Sequence, residues 1–274
     1  MRPSLSGLNA TIWLVGCGNM GGAMLRGWLA EGIAPKLLTV IDPALPVLPD
    51  GISVVSEPPS EADEPDIVLL GVKPQALDNV APKLAPSLGP DTLLLSILAG
   101  VETATLRARF RTPRHLVRVM PNMPASIGKG ITALFTESED EKTRAVAADL
   151  MRPLGPVDWI AREDLFDAVT ALSGCGPGFV LRFIDALADA GAMLGLPADQ
   201  AMRLAKATVS GTAQLAEVSD ETPTQIADRV ASPGGSTREG LNVLDADAAL
   251  QRLIFATLKA SADRNAAMAA AARS

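Results

Sequence analysis

Four apolar residues, Ile12-Trp13-Leu14-Val15, lead without a break into Gly16-Cys17-Gly18-Asn19-Met20-Gly21, and a helical pattern follows at once. Few architectures accept that order. A buried strand that turns sharply into a helix needs glycine in the turn, where a ligand meets the backbone, and where helix packs on strand. Asp42, ending the next apolar run, adds an acid at the distance a strand–turn–helix dinucleotide unit requires. The N–H groups at the helix start then face a pyrophosphate. A structural glycine turn is the plainer alternative, disfavoured by the strand before the loop, the helix after it and the acid beyond.

Short apolar runs recur at Thr11–Val15, Leu37–Ile41, Ile52–Val55, Ile67–Val72, Leu93–Leu98, Leu116–Met120, Ile131–Phe135 and Pro156–Ile160. Several are continuous rather than alternating, as in parallel strands covered on both faces. Helical patterns fill Gly21–Ala30, Ala76–Leu84, Thr103–Phe110 and Glu139–Met151. The rhythm predicts an α/β fold class, with an N-terminal Rossmann-like doubly wound sheet over residues 1–161. From Glu163 onward only helical signals remain. Pro177 suits a first turn, Phe179, Phe183 and Leu187 recur at four-residue spacing, and Gly195-Leu196-Pro197 separates this helix from Met202–Leu215. Pro223 opens another helix, and Asp247–Arg273 reads as a long, alanine-rich last one. An all-α dimerisation domain over 162–274 is expected. Ala186, Ala190, Gly191, Ala205 and Gly211 permit close backbone approach, and a single helical layer needs a partner, so a homodimer follows.

A net charge of -7, 3% aromatic residues and no tyrosine argue against nucleic acid, which needs clustered cations and stacking platforms. Two cysteines and one histidine exclude a disulfide framework and a transition-metal cluster, so no metal is expected. The apolar run before Cys17 is too short for a signal segment, and no stretch reads as long enough to cross a bilayer. The expectation is a cytoplasmic protein with no membrane partner.

Asp42 bears on cofactor choice. Its carboxylate accepts hydrogen bonds from ribose hydroxyls and repels a 2′-phosphate, and no Arg or Lys follows through Pro46. These residues lean towards NADH, unless Asp42 merely opens the turn at Pro43. Val72-Lys73-Pro74 and Ala99-Gly100-Val101 end strands at the edge where ligands gather; Lys73 reads equally as a solvated charge. Ser232-Pro233-Gly234-Gly235-Ser236-Thr237 presents successive backbone N–H groups to a small anion, or is a glycine-rich helix cap. Asn122 either orients a ligand or fixes the turn between Pro121 and Pro124. Cys175 lacks a neighbouring base in sequence and reads as a small turn residue, and His115 as a surface residue at a strand start.

The chain resembles the pyrroline-5-carboxylate reductase family. The resemblance rests on Gly16–Gly21, Gly71-Val-Lys-Pro74, Ala99–Val101, Arg118-Val-Met-Pro-Asn-Met-Pro124, Ala168–Pro177, Asp185–Asp189, Gly195–Pro197 and Ser232–Thr237, in the family's order over about residues 11–260. It implies reduction of 1-pyrroline-5-carboxylate, an imino acid, to L-proline with NADPH or NADH, in a homodimer or a larger ring of dimers. It also implies cofactor contacts at Val15, Gly16, Cys17, Gly18, Asn19 and Met20, at Gly71, Val72, Lys73 and Pro74, and at Leu98, Ala99 and Gly100. Substrate contacts are implied at Glu163, Ser236 and Thr237, beside the glycines Gly234 and Gly235 of the anion loop. From the residues themselves, Thr237 is the candidate catalytic donor to the ring nitrogen, whereas Glu163 and Asp164 equally suit helix N-terminal charges. Cys175, Gly178 and Phe179 depart from the hydroxyl-bearing pattern of many relatives. The runners-up are a related imine reductase or 3-hydroxyacid dehydrogenase, disfavoured because the helix after Pro177 carries Arg182 and no Lys, and a nucleotide-binding protein without turnover.

Overall fold

In a computed structural model, which describes residues 5–59 and 64–273, eight strands form one sheet. They are β1 (Ile12–Val15), β2 (Leu38–Ile41), β3 (Ser53–Val55), β4 (Ile67–Leu70), β5 (Leu93–Ser96), β6 (His115–Met120), β7 (Thr132–Phe135) and β8 (Val157–Trp159). Each lies within two residues of a run anticipated above. Their order is β3-β2-β1-β4-β5-β6-β7-β8. Val15 stands opposite Ile41 on one side and Leu70 on the other, so the winding reverses at β1. That leaves a crevice beyond the C-terminal ends of β1 and β4, the ligand position of open parallel sheets. One pairing was not foreseen: β7 runs antiparallel to β6, with Arg118 opposite Phe135. The connection between them, a short 3-10 turn over Met123–Ile127, is too brief to carry the chain back across the sheet.

Helices cover both faces. α1 (Asn19–Ala30) and α4 (Glu141–Met151) lie on one, α2 (Leu77–Leu84) and α3 (Thr103–Arg109) on the other. Ile12 and Leu14 join the first layer, Trp13 and Val15 the second. Both faces of β1 are therefore dry, which is why its sequence is apolar without alternation. Burying each such side chain stabilises by roughly 1.5–3 kcal/mol. Trp28, fully buried, donates its indole N–H to the Leu150 carbonyl at 2.7 Å and so pins α1 to the end of α4.

The remaining helices are α5 (Phe166–Val169), α6 (Gly176–Met193), α7 (Ala198–Val218), α8 (Pro223–Val230), α9 (Ser236–Asp245) and α10 (Ala249–Arg273). The chain divides into two compact units, Met1–Cys175 with Ser261–Ser274, and Gly176–Ala260. The segment from Glu163 to Cys175 and the last turns of α10 thus fall in the unit that holds the sheet. In the second unit α6 and α7 form a hairpin turned by Gly195 at φ +104. A Cβ on Gly191 would stand 3.4 Å from that of Ala201, the close approach its small residues foretold. Thr222 and Gln225 cap α8 reciprocally, with Pro223 in its first position. Phe183, Leu253 and Phe255 remain exposed in the single chain, an unpaired apolar surface.

One expectation needs correction. The helical run Glu163–Met193 is long and apolar enough to cross a bilayer by length and composition. In sequence it was interrupted at Ser173–Pro177, where glycine and proline suggested a fresh helix start. In the structure a π turn spans Thr170–Gly174, Cys175 is a bend, and α6 starts at Gly176 with Pro177 in its first turn, as the sequence suggested. Length and composition of this kind equally describe a helix covered by protein, so they do not by themselves make a span.

Candidate active site

The glycine loop is held backbone to backbone against β4. Gly16 adopts φ +93 and donates its N–H to the Ile41 carbonyl at 2.9 Å. A Cβ there would meet the Gly71 and Val72 backbone at 2.9 Å, and one on Gly71 would meet the Gly16 carbonyl at 2.8 Å. Gly21 is tighter still, with a Cβ position 2.4 Å from the Gly16 carbonyl oxygen. Gly18 is different: its Cβ position faces open space, and it caps α1 without a side-chain hydrogen bond. The first-turn N–H groups of α1 are thus presented to the crevice through glycine, with no side chain in the way. A dinucleotide pyrophosphate fits this donor set. Met20, Arg26, Pro46 and Asn122 are among the residues around a cleft of about 770 Å³ beside the loop.

Asp42 is tied into the same loop. Its Oδ2 accepts the Cys17 N–H at 2.7 Å and its Oδ1 the Ala44 N–H at 2.9 Å. Asp42 thus opens the turn at Pro43 and, from just beyond the end of β2, anchors the glycine loop. Burial pushes the Cys17 thiol up from its ordinary range, the Asp42 charge adds to this, and Arg26 opposes it. Lys73 is exposed and precedes the 3-10 turn begun by Pro74. Gly100 adopts φ +72, and the Val101 N–H reaches the Leu98 carbonyl at 3.3 Å, so Leu98–Gly100 form a tight shelf beyond β5.

Asn122 spends its amide on structure. Its Oδ1 accepts the Ile131 N–H at 3.0 Å, and its Nδ2 donates to the Ser173 carbonyl at 3.1 Å. That carbonyl is available because the residue four positions on, Pro177, has no N–H to donate, while the Cys175 N–H bonds Thr170 at 2.8 Å in the π turn. Gly174 lies over Met120, whose Cε would be 2.7 Å from a Cβ there. Cys175 is accordingly a turn residue of this bulge.

Glu163 is joined to residues far away in sequence. Its Oε1 accepts the Thr103 N–H at 2.7 Å, the Thr103 hydroxyl at 2.9 Å and Arg118 Nη1 at 2.7 Å. It supplies α3 with the cap that Glu102, the residue at the capping position, does not. The Arg118 guanidinium lies 4.3 Å from the Phe166 ring centre. Arg118 and Thr103 were not picked out as site residues from the sequence. The available signal was Arg118 itself, a charge within the otherwise apolar Leu116–Met120.

The second glycine segment, in the other unit, is a turn followed by a helix start. Gly235 donates its N–H to the Ser232 carbonyl at 2.9 Å, across Pro233 and Gly234, the latter at φ +70. Proline then a positive-φ glycine is the demand of a type II turn. A Cβ on Gly235 would lie 2.8 Å from Ser232 Oγ. α9 begins at Ser236 with no side-chain cap, and Ser236 and Thr237 are exposed. The adjacent Arg238 is committed elsewhere, to Asp228 at 2.7 Å. The groups the turn leaves exposed are the Ser236 and Thr237 side chains at the uncapped start of α9.

Comparison with known proteins bears on both halves of the chain. Residues 163–268 match the family model described as pyrroline-5-carboxylate reductase dimerisation, and residues 11–100 that described as NADP oxidoreductase, coenzyme F420-dependent. The chain is 34% identical over 264 residues to a pyrroline-5-carboxylate reductase of Pseudomonas aeruginosa, covering 94% of this chain and 96% of that protein. It is 38% identical over 246 residues to one from Synechocystis, covering 87% and 91%. Among solved structures, a pyrroline-5-carboxylate reductase from Coxiella burnetii superposes with a TM-score of 0.86 at 29% identity, covering 95% of this chain and 99% of that one. The Plasmodium falciparum pyrroline carboxylate reductase with NADP bound gives 0.80 at 28% identity, covering 95% and 98%.

Proposed function

The chain belongs to the pyrroline-5-carboxylate reductase family, and from it we propose that the protein reduces 1-pyrroline-5-carboxylate to L-proline. It is an NAD(P)H-dependent oxidoreductase acting on a C=N bond. A dinucleotide-binding sheet hosts many reactions, so the reading rests on one further observation: the uncapped turn and helix start at Ser232–Thr237.

Each residue then has a defined task. Gly16, Gly18 and Gly21 bring the first turn of α1 up to the pyrophosphate, with Gly71–Pro74 and Leu98–Gly100 as the floor beneath the rest of the cofactor. A reduced nicotinamide, when bound, supplies the hydride. Gly234 and Gly235 let the ring carboxylate approach the N–H groups of Ser236 and Thr237. The Thr237 hydroxyl donates a hydrogen bond to the ring nitrogen, where negative charge grows as the adjacent carbon takes hydride, and a proton from water completes the product amine. Glu163 contacts the substrate. Asp42 favours NADH over NADPH, because a 2′-phosphate would be placed against its carboxylate. From Asp42 to Val72 the sequence holds no Lys or Arg to offset that charge. The helical domain at 162–274 joins two copies, which assemble further into a ring, and the protein works in the cytoplasm.

Purified protein given 1-pyrroline-5-carboxylate is expected to consume NADH, and NADPH more slowly, followed by loss of nicotinamide absorbance. No consumption of either overturns the assignment. Thr237→Ala is expected to lower kcat by about 10- to 100-fold with little change in the KM for cofactor. An equal loss in both would remove Thr237 from its assigned role.

A further inference from the structure

Among the described residues, Arg118 is the one charged side chain in the buried class. Its position in β6 is costly: taking a guanidinium out of water is unfavourable by several kcal/mol, and an apolar replacement of a buried pair is often neutral or stabilising. Stability alone gives no reason for arginine here. Its surroundings do. The guanidinium is fixed by Phe166 at 4.3 Å on its face and by Glu163 Oε1 at 2.7 Å on its edge. Phe166 is itself held edge-on by Phe135, ring centres 6.2 Å apart. The same Oε1 also takes both donors of Thr103, so it is saturated, and rotation of the carboxylate would break three hydrogen bonds. Oε2 has none of these partners.

Thr103 begins α3 directly after the shelf Leu98–Gly100, and Gly100, Arg118 and Glu163 line one small cavity of about 250 Å³. We infer that Arg118 is a positioning residue for the reduction: through Glu163 Oε1 and Thr103 it locks the Glu163 carboxylate to the cofactor shelf, leaving Oε2 in one orientation for the imino acid. This rests on the functional reading above and on Glu163 as a substrate contact. Arginine is required because a planar fork can donate in the carboxylate plane while stacked on a ring; a lysine ammonium keeps the charge but not that geometry.

The test is a double-mutant cycle in kcat/KM for 1-pyrroline-5-carboxylate, with Arg118→Lys and Glu163→Gln in the full chain. Each single change is expected to lower kcat/KM by about 10-fold or more, the range for a lost charge-assisted hydrogen bond, with the cofactor KM moving less than about threefold. On the Glu163→Gln background, Arg118→Lys is expected to cost almost nothing further. If Arg118→Lys does not fold, Thr103→Val removes one donor to Oε1 without touching the buried charge, and is expected to show the same non-additivity. Full additivity, or a fall in thermal stability with kcat/KM unchanged, overturns the inference. A wild-type protein inert with both cofactors defeats the functional reading instead. An active wild type with an unaffected Glu163→Gln variant defeats only the role of Glu163 and the inference built on it.

Discussion

Gly21→Ala is expected to abolish nicotinamide cofactor binding, weakening it by about 100-fold or more as read by titration of nicotinamide fluorescence. In an ordinary helix this change would stabilise, since alanine orders more cheaply than glycine by roughly 0.5–1 kcal/mol. Here the new methyl would stand 2.4 Å from the Gly16 carbonyl oxygen, a backbone atom in a loop already fixed to Ile41 and pressed on Gly71. Helix and loop must separate, and the N–H groups at the start of α1 then leave the positions that meet the pyrophosphate. A loss of about 2.7 kcal/mol of binding corresponds to the stated factor. The same substitution at Gly18, whose Cβ position faces open space, is expected to leave folding intact and to obstruct only the ligand. Cofactor affinity unchanged in Gly21→Ala would mean that the dinucleotide does not use this loop.

Asp42→Asn is expected to raise the ratio of kcat/KM with NADPH to that with NADH by about 10- to 100-fold. The interaction removed is between a carboxylate and a phosphate, worth on the order of 1–3 kcal/mol at a partly solvated site, where screening keeps it well below the roughly 4 kcal/mol of a close pair at an effective dielectric of 20. Asparagine has one acceptor oxygen, which can keep the Cys17 N–H that Asp42 accepts at 2.7 Å and so hold the loop, at the cost of the bond from the Ala44 N–H. Affinity for NADH is expected to fall at the same time, because the charged acceptor for the ribose hydroxyls is gone. The ratio is the informative quantity, and added salt should raise it in the parent protein by screening the repulsion. A ratio that does not move in Asp42→Asn removes charge as the basis of cofactor choice.

Much of this protein can be read along the chain because its strongest constraints are local. A strand buried on both faces must be continuously apolar, and central strands such as β1, β4 and β5 could be found that way. A helix entered from a tight turn must spend glycine there, which exposed both Gly16–Gly21 and Ser232–Thr237. Pro223 likewise marked the start of α8, where Thr222 and Gln225, three residues apart, close a capping box. The antiparallel β7 escaped notice because strand direction is set by how a connection runs through space, and the apolar run of Thr132–Phe135 is the same either way up. The π turn escaped for a related reason: Ser173–Pro177 spells a break, and the bond from Asn122 to the Ser173 carbonyl, 51 positions back, helps hold the segment in register.

The role of Glu163 divides along the same line. From the residues alone it was a charge near a helix start, and it does begin the 3-10 turn before α5, but it also caps α3, some 60 positions away. Arg118 was visible as an oddity within β6 and acquired a meaning only when folding set it between Phe166 and Glu163. Strands, turns and glycine cradles were thus settled by neighbours in the chain, since backbone geometry and burial act over a few residues. Partnerships among buried charges were settled by folding, since a charge withdrawn from water takes whichever donor or acceptor the packed chain brings within 3 Å, and nothing in linear order says which one that will be.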